Sequence, residues 1–118
     1  MDALPVYLRQ HTIQHFELDA FGKISIPYLA NHIQENAAEH ARRLHIGFDE
    51  LKANNHYWML SRLRIQLYTR PGINQMMETE TWVKDYDRLY SYRDFHFKHN
   101  QEIFAVANTA WIIADRAN

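Results

Sequence analysis

The chain has no cysteine, which excludes a disulfide framework, a thiolate nucleophile and a thiolate metal site. Any nucleophile must therefore be oxygen, nitrogen or water. Glycine and proline number only 3 each in 118 residues, too few for long linkers or low-complexity stretches. With 47% hydrophobic and 23% charged residues, the composition is that of a folded globular protein rather than a disordered one. Neither sign of charge dominates: 13 Lys and Arg stand against 14 Asp and Glu, for a formal net charge of -1. There is no basic field to hold nucleic acid or an anionic membrane, and no nucleic-acid partner is expected. No apolar run reaches the roughly 18 residues of a membrane span, and the opening MDALPVYLRQ, with Asp2 and Arg9, is too short and too polar for a signal peptide. A cytoplasmic protein without a membrane span is expected. What is abundant is aromatic (14%) and imidazole (8 His), a balance that suits a concave or paired surface as well as a core.

The length fits about one domain, so residues 1–118 are read as a single unit. Thr12 to Leu18 alternates polar and apolar residues, predicting a first strand, and Asp19-Ala20-Phe21-Gly22 breaks it as a turn. From Ser25 the period becomes helical: Ile26, Leu29, Ala30, Ile33, Ala37, Ala41 and Leu44 recur at steps of three and four. Ser25 is placed as N-cap, Pro27 belongs in a first turn, and Gly47 is a natural stop. Small Ala37, Ala38 and Ala41 predict a helix lying close against a sheet. A single helical turn follows over Phe48 to Lys52, and four alternating segments complete the chain: Tyr57 to Thr69, Met77 to Val83, Leu89 to Lys98, and Ile103 to Ala114. These runs exceed the usual ~5–6 residues of a strand, which predicts a twisted, curved sheet. The order predicts an α+β fold, a long central helix wrapped by an antiparallel sheet of about five strands.

That order and five stretches of sequence resemble the hotdog fold, and within it the acyl-ACP thioesterase family and the small single-hotdog acyl thioesterases. Glu17-Leu18-Asp19-Ala20-Phe21-Gly22 is similar to the Asp-x-Phe/Tyr-Gly approach to the helix in single-hotdog enzymes. Gln34-Glu35-Asn36-Ala37-Ala38-Glu39-His40 resembles the Gln-Glu-x-Ala-x-x-His stretch in the first hotdog of acyl-ACP thioesterases. Glu80-Thr81-Trp82-Val83, Tyr92-Arg93-Asp94-Phe95 and Asn108-Thr109-Ala110-Trp111 resemble that family's strands. The tandem members carry their catalytic Asn and His on a His-Val-Asn-Asn run in the second hotdog, and no such run occurs here. Lys23-Ile24-Ser25-Ile26 stands where single-hotdog enzymes have Val-Val-Asn-Asn or a similar run.

The resemblance implies hydrolysis of a fatty acyl thioester carried on acyl carrier protein or coenzyme A, with no cofactor. It implies Asp19 as nucleophile or general base; read from the residues alone, Asp19 equally suits a cap of the turn. Gly22, Ser25 and Ile26 lie at the helix start, where orphan amides are able to polarise a thioester oxygen. Glu35 is the second catalytic candidate, reaching toward a partner's site, or else an exposed helical carboxylate; Asn36 beside it could orient a water. His32, Asn36 and His40 form a stripe at i, i+4 and i+8, expected at a subunit interface rather than around a metal, since no His-Glu-x-x-His spacing is present. Trp58, Trp82 and Trp111 with Phe95, Phe97 and Phe104 either line an acyl tunnel or fill the core and interface. No GxGxxG or P-loop supports nucleotide binding. Open sheet edges imply a homodimer or a dimer of dimers. Two rival readings are a non-catalytic acyl- or carrier-binding hotdog that partners a catalytic one, and a dehydratase or isomerase, which would want a His at the substrate near the helix start, where His15 is nearest.

Overall fold

The structure is a computed structural model that describes residues 5–87 and 90–115. The chain runs β1 (Val6–Thr12), a 3-10 turn (His15–Glu17), α1 (Ile26–Arg43), α2 (Phe48–Lys52), β2 (His56–Leu67), β3 (Met76–Tyr86), β4 (Tyr90–His99) and β5 (Glu102–Asp115). All strands join one antiparallel sheet in the order β1-β3-β4-β5-β2, leaving β1 and β2 at its edges. The expected long helix against a five-stranded antiparallel sheet is therefore what the chain forms.

The helix forms for the reasons visible in its sequence. Ser25 is extended, its Oγ accepts from the Tyr28 amide at 3.3 Å, and Pro27 occupies the first turn, where its missing N–H costs nothing. Leu29, Ile33, Asn36, Ala37, His40 and Ala41 form its buried stripe. Fully burying Leu29 and Ile33 contributes about 1.5–3 kcal/mol each. Ala37 on α1 shares the buried core with the small residues Ala105 and Ala107 of β5. In the register Thr81 lies opposite Phe95 and Phe95 opposite Ala107; Phe95, Phe97 and Phe104 fill the core with Ile13, Ile24 and Met77. Register shifts at Leu60/Arg62, Val83/Asp85 and Phe97/Lys98 interrupt the long strands.

Two local expectations differ from the structure. The first strand ends at Thr12, where Thr12 to Leu18 was predicted to form it, and His15–Glu17 is a 3-10 turn. The alternation misleads because the buried side chain of that turn is Glu17, while Phe16 is 67% exposed. The long helix also stops at Arg43 rather than at Gly47: His45 takes the left-handed conformation (φ 64), and Gly47 instead begins α2.

Candidate active site

The Asp19 turn is closed from every side. Leu18 and Ile24 bridge across it, Asp19 N–H donates to Lys23 O at 2.7 Å, and Gly22 takes the left-handed φ of 74. Asp19 Oδ1 accepts from the amides of Phe21 (2.9 Å) and Lys23 (3.1 Å), and Oδ2 pairs with Arg70 Nη1 at 2.5 Å. Desolvation works upward on this carboxyl, but the two amides and the Arg70 guanidinium outweigh it and hold Asp19 below the usual carboxylate range. It is thus ionised at neutral pH, with both oxygens engaged. The amides around it are spent in the same way: Gly22 donates to Asp19 O, Ile24 to Pro71 O, Ser25 to Glu17 O, and Tyr28 to Ser25 Oγ. Pro27 has no N–H, so among the described residues the Ile26 amide is the one donor at the head of α1 not already used. The side chains of Phe21 and Ile26 are both exposed and leave apolar surface at this end of the helix.

Glu35 is exposed and makes no hydrogen bond or ion pair with a described residue. It lies ten residues beyond Ser25, about 15 Å along the helix axis. Asp19 and Glu35 of one chain are accordingly not brought together. Asn36 is buried; its Nδ2 donates to His32 O at 2.7 Å, while its buried Oδ1 has no partner among the described residues.

The stripe of His32, Asn36 and His40 splits between two clusters that sequence reasoning did not find. His32 turns to Glu17, whose Oε2 lies 2.6 Å from His32 Nε2 and whose Oε1 lies 2.6 Å from His11 Nε2. An ionised carboxylate can only accept, so each imidazole donates its Nε2–H. Burial pushes the Glu17 carboxyl up, but bonds from His11, the Gln14 amide and His32 prevail and keep it below the ordinary range. Burial also lowers the His32 imidazole, opposed in part by Glu17. No sequence signal pointed to this cluster, since the alternation reads Glu17 as an outward charge.

His40 turns to Arg93, a guanidinium only 4% exposed. Arg93 Nη1 donates to His40 Nδ1 (2.8 Å) and Thr81 Oγ1 (3.2 Å), which places the His40 proton on Nε2. Burial pushes Arg93 down to about 10. It has no carboxylate partner among the described residues. Asp94, on the opposite face as strand alternation requires, reaches Asn108 and Lys84.

Arg93 lines a groove of about 670 Å³ between the Ala37-Ala38-Ala41 face of α1 and the sheet, walled by Trp58 and Trp111. A smaller hollow of about 390 Å³ shares Trp58 and Ile46 with it. The aromatic residues therefore divide: Phe95, Phe97 and Phe104 belong to the core, Trp58 and Trp111 to the groove, and Trp82 to neither, packing edge-on against His96 at 4.8 Å. Trp111 is fixed by Nε1–H donating to Thr109 Oγ1 at 2.7 Å, and Trp58 by donating to Ile46 O at 2.8 Å. The groove centres near Ala37, about 18 Å along α1 from its N-cap, so acyl-sized space and the Asp19 turn lie at different ends of the helix.

Comparison with known proteins fits this geometry. Residues 5–118 match the model of the acyl-ACP thioesterase N-terminal domain. The palmitoyl-acyl carrier protein thioesterase of Gossypium hirsutum chloroplasts is 25% identical over 119 residues, covering 94% of this chain and 29% of that protein. The chloroplastic oleoyl-acyl carrier protein thioesterase 2 of Arabidopsis thaliana is 22% identical, covering 93% and 32%. The chain thus spans about a third of the curated relatives it matches. Among solved structures, an acyl-ACP thioesterase from Bacteroides thetaiotaomicron superposes with a TM-score of 0.91 at 26% identity, covering 95% of this chain and 46% of that one. The DHNA-CoA thioesterase of Staphylococcus aureus superposes at 0.87 with 15% identity, covering 96% and 76%, a likeness of fold alone. The fold is the hotdog, and the chain belongs to the acyl-ACP thioesterase N-terminal domain family.

Proposed function

We propose that this chain is the acyl-holding hotdog of a thioesterase and takes part in hydrolysing fatty acyl thioesters carried on acyl carrier protein or coenzyme A. The observation that carries the reading is the groove: walls rich in alanine and tryptophan with Asp115 also in the lining, a volume in the usual range of ligand sites, and a buried guanidinium, Arg93, that forms no ion pair with a carboxylate among the described residues. A dry cation without a counter-charge is costly, and a ligand carbonyl or carboxylate offsets that cost while the hydrocarbon fills the rest. In this reading Asp19, held ionised, serves as nucleophile or general base toward the thioester in the groove of a facing copy, because within one chain the two lie at different ends of α1, and the Ile26 amide, the donor left free beside Gly22 and Ser25, forms the oxyanion side. Oδ2 acts once Arg70 releases it. Glu35 assists from a facing hotdog, because within one chain it stands too far along the helix, whereas Asn36, buried in its own chain, does not reach a facing site. The facing copy is proposed to dock as a homodimer, alone or paired again: β2 is an edge strand with Tyr57, Met59 and Leu63 exposed. No helix among the described residues is long and apolar enough to cross a membrane, and residence in the cytoplasm is part of this proposal.

The test is free-thiol release from acyl-ACP and acyl-CoA substrates of graded chain length by the native chain, Asp19→Asn and Glu35→Gln. Asparagine keeps the oxygen that caps the turn and removes the charge. Turnover by the native chain that Asp19→Asn abolishes at unchanged folding supports the reading. Acyl binding without turnover by any form reduces it to the acyl-holding partner of a separate catalytic hotdog. Absence of both binding and turnover overturns it.

A further inference from the structure

We propose that His11, Glu17 and His32 form a binding site for one divalent transition-metal ion of the Zn²⁺ class. The three residues come from three separate elements, β1, the 3-10 turn and α1, and the fold brings one ligand atom of each within 4.8 Å of the others. Glu17 is 2% exposed, whereas the imidazoles are partly open, His11 at 29% and His32 at 17%. The carboxylate is therefore buried at the base of the site and the imidazoles lie toward solvent, which leaves an approach path and an open coordination position for water. Two histidines and one carboxylate are a donor set that suits Zn²⁺, Co²⁺, Ni²⁺ or Fe²⁺; Mg²⁺ and Ca²⁺ favour oxygen ligands.

The geometry needs only a small adjustment. Ligands at about 2.0–2.2 Å from a tetrahedral ion stand about 3.3 Å apart. The two Nε2–carboxylate separations of 2.6 Å are shorter and the overall limit of 4.8 Å is longer, so shifts of about an ångström bring all three into range. In the metal-free chain each imidazole directs Nε2–H at Glu17. On binding, each proton moves to Nδ1 and the Nε2 lone pair faces the ion, so a neutral imidazole stays neutral. The ion then replaces two hydrogen bonds with three coordinate bonds and ties β1 to α1. The site has no part in the acyl groove, and it is independent of the thioesterase reading.

The experiment uses the tag-free chain, stripped with a chelator and transferred to metal-free buffer. Zn²⁺ is titrated calorimetrically, and Co²⁺ is followed by its visible absorption, which distinguishes low coordination number from the hexaaqua ion. The comparison variants are His32→Gln and His11→Gln, since glutamine sets an N–H near the position of Nε2 and so preserves the bond to Glu17 while removing a good ligand. The expected result is one tight equivalent in the native chain and an affinity loss of about 100-fold or more in either variant. A Zn²⁺-dependent rise in melting temperature should be present in the native chain and absent from both. No binding by the folded native chain, or binding that both variants retain, overturns the proposal; the latter outcome would assign the ion to other histidines, and the His-Glu-His group would be a hydrogen-bonded strut only.

Discussion

Gly72→Ala probes the joint that holds the Asp19 turn in place. A Cβ at Gly72 would lie 2.5 Å from the carbonyl oxygen of Gly22, roughly 0.8 Å inside an ordinary carbon–oxygen contact. Neither side yields cheaply. Lys23 and Gly72 are bridged, Ile24 N–H donates to Pro71 O at 2.9 Å, and the Gly72 amide donates to Gln75 Oε1 at 2.6 Å. Separating the two turns breaks at least one of these bonds and pulls Arg70 from Asp19. Overpacking against backbone of this kind costs about 1–3 kcal/mol. At roughly 4 °C per kcal/mol, the melting temperature should fall by about 4–12 °C. Gly22 supplies the control: nothing lies within 4 Å of its Cβ position, and its difficulty is only the φ of 74. Gly22→Ala should cost about 1–2 kcal/mol, and Gly22→Asn less, because asparagine tolerates the left-handed region. Gly72→Asn should gain no such relief. Thermal unfolding of the four variants followed by circular dichroism decides the matter. A melting temperature of Gly72→Ala within a degree of the native chain would refute the close approach and the positioning of the Asp19 turn built on it.

Arg93→Met removes a buried charge together with its bonds to His40 and Thr81, two effects that roughly cancel in stability, so the fold should persist with a similar melting temperature. Its acyl thioester affinity should fall about 10- to 100-fold, the worth of a charged hydrogen bond of about 1.5–3 kcal/mol; unchanged affinity would remove Arg93 from the site. Asn36→Leu deletes a buried oxygen that has no partner among the described residues, and should stabilise the fold by about 1 kcal/mol in denaturant titrations; a clear loss would show that this oxygen is satisfied. Glu39 is pulled from its ordinary 4.5 to about 2 by bonds from Arg42 and Arg43. Because the folded value is the lower one, its contribution is present above about 4.5 and disappears as pH falls toward 2. On this open surface, screened by solvent, the contribution is small. A carboxyl-carbon NMR titration should show the Glu39 midpoint near 2, and a midpoint at the ordinary value would exclude the pairing.

Most of the fold was legible because its signals are local and periodic. The stripe from Leu29 to Ala41, the Ser25 cap and the Phe48–Lys52 turn all depend on neighbours within a few residues. The alternation of β2, β3 and β5 located those strands within a few residues at each end; the expected start of the fourth run at Leu89 lies outside the described residues. The first strand was misplaced because hydropathy counts Glu17 as an outward residue, whereas partners from β1 and α1 permit its burial. The stop at Gly47 was misplaced because His45 adopts the conformation that glycine usually supplies. The Asp19 turn was readable from Asp and Gly alone, but the Arg70 ion pair that engages its carboxylate spans 51 positions. Likewise, the strand pattern placed Arg93 opposite Asp94 in orientation without revealing that Arg93 is the buried one. That outcome depends on Thr81 and His40, contributed by a neighbouring strand and the helix.

The central claim is that an acyl chain occupies the groove beneath Ala37, Ala38 and Ala41. Ala38 is exposed on α1 and lines that groove, so Ala38→Trp adds bulk there without entering the core. Titrating both forms with a non-hydrolysable acyl thioester analogue, followed by calorimetry, tests the claim directly. The native chain should bind, and Ala38→Trp, with its circular dichroism unchanged, should bind at least about tenfold more weakly, a difference of about 1.4 kcal/mol. Equal affinity in the two forms would contradict the account and place the acyl chain elsewhere.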